Sequence, residues 1–110
     1  MIKIWKYTGS DFLLLGTLSG HNQSVGTIHF APQRGHYLLS GSADLNVKLW
    51  DIKEIIDNYN GEPLEISSAK HTVIGHQKDI NCVRFSPNEK LIASASQDKT
   101  INVEYFHDIS

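Results

Sequence analysis

Short runs of alternating apolar and polar residues, separated by turn-forming residues, fill most of this chain. Ile2-Lys3-Ile4-Trp5-Lys6 alternates with the two-residue period of a half-buried strand. Similar runs place strands at Phe12 to Leu18, Val25 to Phe30, Tyr37 to Ser42 and Asn46 to Trp50. Further strands are expected at His71 to Ile74, Ile80 to Phe85, Leu91 to Ser94 and Thr100 to Phe106. Gly9-Ser10-Asp11, Pro32, Arg34-Gly35 and Asp44 punctuate the connections between them. One segment departs from the strand pattern. Ile52, Ile55, Ile56 and Tyr59 fall at i, i+3, i+4 and i+7, which predicts a short amphipathic helical turn ended by Gly61-Glu62-Pro63.

The strands recur as a unit. GHNQSVGTIHFAPQRGHYLLSGSADLNVKLWD, from Gly20 to Asp51, can be laid over GHQKDINCVRFSPNEKLIASASQDKTINVEY, from Gly75 to Tyr105. The Gly-His pairs and the prolines Pro32 and Pro87 lie 55 residues apart, and the turn aspartates Asp44 and Asp98 lie 54 apart. A fixed internal period marks a stacked or circular array of one supersecondary unit. The Gly-His pair, the turn Asp and the Trp50-Asp51 pair together resemble the WD40 repeat of β-propellers. The resemblance implies an all-β partial WD40 propeller of about two repeats, built from antiparallel four-stranded blades. Residues 1–19 then form the tail of a preceding repeat, 20–52 one repeat, 53–70 an inserted loop and 71–110 a further repeat with a degenerate C-terminal end. A WD40 repeat takes about 40–45 residues and a propeller about four to eight blades. These 110 residues therefore cannot close a ring alone, and further repeats or oligomerisation are expected to complete it.

The insertion is visible as a change in spacing. Trp5 precedes Gly20 by 15 residues, but Trp50 precedes Gly75 by 25, so about ten extra residues lie within Lys53–Ala69. Such an insertion either carries partner contacts or is a tolerated surface excursion.

Composition narrows the setting. With 40% hydrophobic residues the chain can be globular, and its net charge of −2 without a basic run predicts no direct nucleic-acid binding. The single cysteine, Cys82, cannot form an internal disulfide and fits a reducing compartment, which makes the sequon Asn22-Gln23-Ser24 accidental. No apolar stretch approaches the roughly 18 residues needed to span a bilayer, and Met1 opens no signal peptide. An intracellular chain with no membrane association is expected.

The chemistry-bearing residues have a structural reading. The WD40 resemblance implies that His21 hydrogen-bonds the turn residue Asp44 and that Ser40 or Ser42 links it to the Trp50 indole. The second set is His76, Asp98 and Ser94 or Ser96, with Glu104 standing where a tryptophan would complete it. Six histidines invite a metal reading, but none has partner cysteines or a zinc-type spacing, so no metal and no cofactor are expected. Ser, His and Asp together suggest a hydrolase, yet there is no G-x-S-x-G elbow, and the serines lie in alternating strands. Cys82 lies in an apolar strand among Ile80, Val83 and Phe85, where cysteine packs as a small hydrophobe. Gly16, Gly20, Gly35 and Gly41 lack the G-x-x-x-x-G-K-S/T arrangement of a phosphate loop. No catalytic residue is assigned.

The expected function is a non-catalytic scaffold for other proteins. In WD40 propellers partners usually meet the face where the Gly-His loops and Asp turns emerge. Carried onto this chain, that face offers Asn22, Gln23, Leu45, Lys78, Asp79, Gln97 and Lys99, with Ala43 beside them. Within the family, GHQKDINCVRFSPNEKLIASASQDKT is similar to the transducin-beta-like subunit of the small-subunit processome, with Lys78-Asp79-Ile80-Asn81 its most telling piece. That resemblance implies a role in ribosomal RNA processing and ribosome biogenesis, in the nucleus and nucleolus. The alternative is a WD40 adaptor of another complex, such as a ubiquitin-ligase receptor, a trafficking coat or a signalling scaffold, with a cytoplasmic location.

Overall fold

The computed structural model describes residues 1–33 and 35–105. Among the described residues, ten strands and one short helix follow the order β1(Ile2–Tyr7), β2(Phe12–Leu18), β3(Val25–Phe30), β4(Tyr37–Ser42), β5(Asn46–Asp51), α1(Lys53–Asn58), β6(Leu64–Ile66), β7(His71–Ile74), β8(Ile80–Phe85), β9(Leu91–Ser96) and β10(Ile101–Tyr105). They form three sheets with strand orders β1-β2-β6, β3-β4-β5-β7 and β8-β9-β10. The central sheet is antiparallel throughout and is the only four-stranded one among the described residues. Together the sheets have the layout of successive blades of a partial β-propeller, and among the described residues they do not close a ring. Phe106, expected at the end of the last strand, lies outside the described residues.

The sheets stack face to face, and β4 shows why its sequence is almost entirely apolar or small. Leu38 and Leu39 are neighbours that point to opposite faces, yet both are fully buried. Leu38 joins Ile2, Ile4, Leu15, Leu18, Trp50, Ile52 and Ile55 in the core between the first and second sheets. Leu39 joins Tyr37, Val47, Leu49, Ile80, Val83 and Phe85 in the core between the second and third. A strand covered on both faces has no polar face to alternate with.

The outer faces of the stack are exposed. Ile101 and Val103 on β10 hold the register positions that Val47 and Leu49 hold on β5. In β5 these residues are 4% and 5% exposed, whereas in β10 they are 73% and 61% exposed. At the opposite end Trp5 is 53% exposed, and its repeat equivalent Trp50 is fully buried.

The inserted segment ties two sheets together. Ile52 and Ile55 are buried in the core between the first and second sheets, with Tyr59, Leu64 and Ile66 packed against it, while Ile56 faces out. The chain then runs as β6, parallel to β2, with Gly16 opposite Leu64 and Leu18 opposite Ile66. The Ser19 N–H donates to the Ile66 carbonyl at 2.9 Å and extends that pairing. Gly16 permits it, because a Cβ there would lie 2.8 Å from both the Leu64 carbonyl oxygen and the Ile55 side chain. A three-residue run such as Leu-Glu-Ile is too short for its periodicity to predict a strand, so the insertion reads in sequence only as a helical turn and a loop. In the structure, part of it covers the edge of β2, where an open strand invites foreign pairing.

Candidate protein-interaction face

Each Gly-His pair enters its sheet through a loop that is held by the following Asp turn. His21 sits between β2 and β3, and Asp44 in the β4–β5 hairpin. His21 Nδ1 lies 2.9 Å from Asp44 Oδ2, and His21 Nε2 lies 2.6 Å from Ser40 Oγ. The Trp50 indole N–H donates to the same Ser40 oxygen at 2.8 Å. A carboxylate only accepts, so Nδ1 carries the proton and Nε2 accepts the Ser40 hydroxyl. Every polar atom of the chain Trp50–Ser40–His21–Asp44 thereby has a use.

Asp44 also fixes backbone. Its Oδ2 accepts the Asn22 N–H at 2.9 Å, and its Oδ1 accepts the Asn46 N–H at 3.0 Å. Burial raises the Asp44 pKa, but the bonds from Asn22, His21 and Asn46 outweigh it and hold the carboxyl below the usual range. For His21, burial dominates: it lowers the imidazole pKa below its ordinary value against the opposing pull of Asp44.

The second repeat repeats this geometry as far as its residues allow. His76 Nδ1 lies 3.1 Å from Asp98 Oδ2, His76 Nε2 lies 2.7 Å from Ser94 Oγ, and the Gln77 N–H donates to Asp98 Oδ2 at 3.0 Å. Thr100 adds its own hydroxyl and its N–H to Asp98 Oδ1. The Thr100 hydroxyl is the largest influence holding the Asp98 pKa well below the usual carboxylate range, followed by the Gln77 N–H. Glu104 lies opposite Ile92 as Trp50 lies opposite Leu38, and its side chain is exposed. The side chains of Tyr105 and Phe106 lie outside the described residues.

Ser42 and Ser96 do a different job from Ser40 and Ser94. Ser42 Oγ donates to the Ser24 carbonyl at 2.8 Å and accepts the Asp44 N–H at 3.1 Å. Ser96 Oγ is 2.9 Å from the Lys78 carbonyl and 3.0 Å from that of Asp79, and it accepts the Asp98 N–H at 3.1 Å. These serines tie each Gly-His loop to its Asp turn. The ties continue in the backbone, where the Ala43 N–H donates to Ser24 at 3.1 Å and the Gln97 N–H to Asp79 at 3.0 Å. Leu45 and Lys99 close the turns with φ values of 75° and 71°, in the left-handed region.

Among the residues read as partner-facing, Asn22, Gln23, Lys78, Asp79, Gln97 and Lys99 have exposed side chains, whereas Leu45 is half-buried. Within each repeat the structure brings them together on a pair of cross-tied loops: Asn22 and Gln23 beside Leu45, and Lys78 and Asp79 beside Gln97 and Lys99. The backbones are fixed, so these side chains project from preset positions. Such preorganisation lowers the ordering cost of binding. Among the described residues no three His, Cys, Asp or Glu side chains gather as a metal-holding group, and no helix is long and apolar enough to cross a membrane. Cys82 is a half-buried thiol on β8.

A family model described as "WD domain, G-beta repeat" matches residues 12–51 and 67–103. The chain belongs to the WD40 repeat family. It is similar to Transducin beta-like protein 3 of Bos taurus, at 38% identity over 104 residues that cover 90% of this chain and 13% of that protein. It is also similar to Nuclear distribution protein nudF 1 of Talaromyces marneffei, at 35% identity over 94% of this chain and 20% of that protein. WD repeat-containing protein 3 of Homo sapiens is 32% identical over 94% of this chain and 11% of its own length. The chain thus spans only a small part of the relatives it matches. WD40 proteins are in general scaffolds for protein–protein interaction.

Proposed function

We propose that this chain forms part of a WD40 scaffold for ribosomal RNA processing and ribosome biogenesis, acting in the nucleus and nucleolus without catalysis of its own. The observation that carries this reading is the similarity to Transducin beta-like protein 3 over 90% of the chain, together with the Lys78-Asp79-Ile80-Asn81 loop. The partners are other proteins of a multi-subunit complex, since a net charge of −2 gives no electrostatic purchase on phosphates. They meet the exposed side chains of Asn22, Gln23, Lys78, Asp79, Gln97 and Lys99, with Leu45 at the margin. The exposed faces around Trp5 and around Ile101 and Val103 take further WD40 repeats, in the same polypeptide or another chain. The residues 1–19, 20–52, 53–70 and 71–110 serve as tail, repeat, insertion and further repeat of that array.

The test is affinity purification of the tagged protein from its own cells, with a Lys78→Glu/Asp79→Lys double variant beside it. Co-purification of ribosome-assembly proteins and pre-ribosomal RNA, lost in the double variant at unchanged urea stability, supports the reading. Retention of every partner by the double variant overturns the assigned face. A second reading, a WD40 adaptor of another complex, is favoured by the 35% identity to the nudF protein over 94% of the chain. It predicts a co-purified set without ribosome-assembly proteins.

A further inference from the structure

The second and third sheets share a core but no strand ladder, since β3 and β8 are not neighbours in any sheet. Among the described residues, two side-chain-to-backbone hydrogen bonds join β3 itself to β8 across this junction, beside the contacts that Gln33 makes to Pro87 and Glu89 at its edge. Thr27 Oγ1 accepts the Val83 N–H at 3.3 Å, and His29 Nδ1 accepts the Phe85 N–H at 3.0 Å. Thr27 and His29 are two residues apart on β3, as Val83 and Phe85 are on β8, so the bonds run in step along the two strands. The His29 ring also lies tilted against the Phe85 ring, with centroids 5.8 Å apart.

The His29 contact has a chemical condition that the Thr27 contact lacks. To accept the Phe85 N–H, Nδ1 must carry no proton, so the ring is neutral with its hydrogen on Nε2. An imidazolium has N–H groups on both nitrogens and would set one of them against the Phe85 N–H. Thr27 does not titrate. The strands packed against β3 bring few other ionisable groups: Tyr37 on β4, and Cys82 and Arg84 on β8. Burial first, and then the charge of Arg84, lower the His29 pKa below its ordinary value.

We propose that His29 is a proton-operated latch between the second and third sheets, closed when the imidazole is neutral and released when it is protonated. The loop of Asn22 to Ser24 leads directly into β3, and the loop of Gln77 to Asp79 leads into β8. Release of the latch therefore loosens the ends of β3 and β8 that lie away from these loops, while the Thr27–Val83 bond nearer the loops stays closed. The latch acts on acidification through the lower part of the histidine range, because the neutral form is favoured in the folded chain.

The experiment is amide hydrogen exchange by NMR on the full chain at about pH 7.5 and about pH 5, spanning the histidine range. After correction for intrinsic exchange, the protection of the Phe85 amide is expected to fall about tenfold on acidification, the scale of one lost hydrogen bond. The amides of the β4–β5 ladder should keep theirs. His29→Gln supplies a carboxamide oxygen that accepts at either pH and should abolish the change, whereas His29→Phe should show low protection at both. Equal protection of Phe85 at the two pH values overturns the latch. So does a loss shared by the β4–β5 amides, which is general acid unfolding, or a loss that persists in His29→Gln.

Discussion

Trp50 and Glu104 occupy the same register position in successive repeats, but only Trp50 sends an indole N–H to the serine beneath it. Trp50 is fully buried against the first sheet, and Glu104 is exposed. The two networks are therefore unequal: Ser40 answers both a histidine and an indole, and Ser94 answers the histidine. Trp50→Phe removes one donor and leaves space in a packed core, so it should cost about 2–4 kcal/mol in urea denaturation. Glu104→Trp should raise stability by about 1 kcal/mol if the new indole reaches Ser94.

The histidine of the first network makes stability depend on pH. The His21 pKa is lowered in the folded chain, mainly by burial, so the folded state binds fewer protons than the unfolded state. Its contribution is fully present above the unfolded value of about 6.5 and is lost as pH falls through the lowered folded value. The urea midpoint should accordingly fall between about pH 7.5 and pH 5, and His21→Gln should flatten part of that slope. The His29 pKa is also lowered, by burial and then by the charge of Arg84, so the His29→Gln variant is needed to separate the two.

Asp44 titrates lower. Three hydrogen bonds hold its pKa below that of the unfolded chain, so its contribution is present above about pH 3.8 and fades as pH falls below it. Asp44→Asn keeps the shape but loses the charge that favours the His21 N–H and the two backbone donors. It should destabilise by about 1–3 kcal/mol at neutral pH, with less difference from the parent in acid.

The insertion should behave as a structural tie. Ile55 is fully buried between the first two sheets, and Ile55→Ala should cost about 2–5 kcal/mol in the same denaturation assay. Gly16→Ala should also destabilise, because the added Cβ would meet the Leu64 carbonyl at 2.8 Å, and a backbone atom yields less readily than a side chain. Ile56, exposed on the other side of α1, should tolerate alanine within about 0.5 kcal/mol.

Much of this was legible along the chain because the repeat writes the same chemistry twice. The 54- and 55-residue offsets place His21 with Asp44 and His76 with Asp98, and the six-residue step from Asp to Trp50 or Glu104 shows where the second set lacks its tryptophan. The division of labour between the serines was not legible. Ser40 and Ser42 share a strand face and are both fully buried, and only the direction of each hydroxyl separates a histidine partner from a loop tie. Nor did pattern announce β6, since three residues carry no usable period, or the cross-sheet bonds of Thr27 and His29, which depend on how two distant strands dock. Gln33 is similar: its N–H reaches the Glu89 carboxylate at 3.1 Å and its side-chain amide reaches the Pro87 carbonyl at 2.8 Å, across 56 and 54 residues of sequence.

The most direct test of the network is the protonation state of its central ring. Nitrogen-15 NMR of the His21 imidazole at neutral pH distinguishes a protonated from a bare nitrogen at each position. The geometry predicts a neutral ring with hydrogen on Nδ1, facing Asp44, and a bare Nε2 accepting the Ser40 hydroxyl. A hydrogen on Nε2, or a charged ring, would contradict the relay from Trp50 through Ser40 and His21 to Asp44.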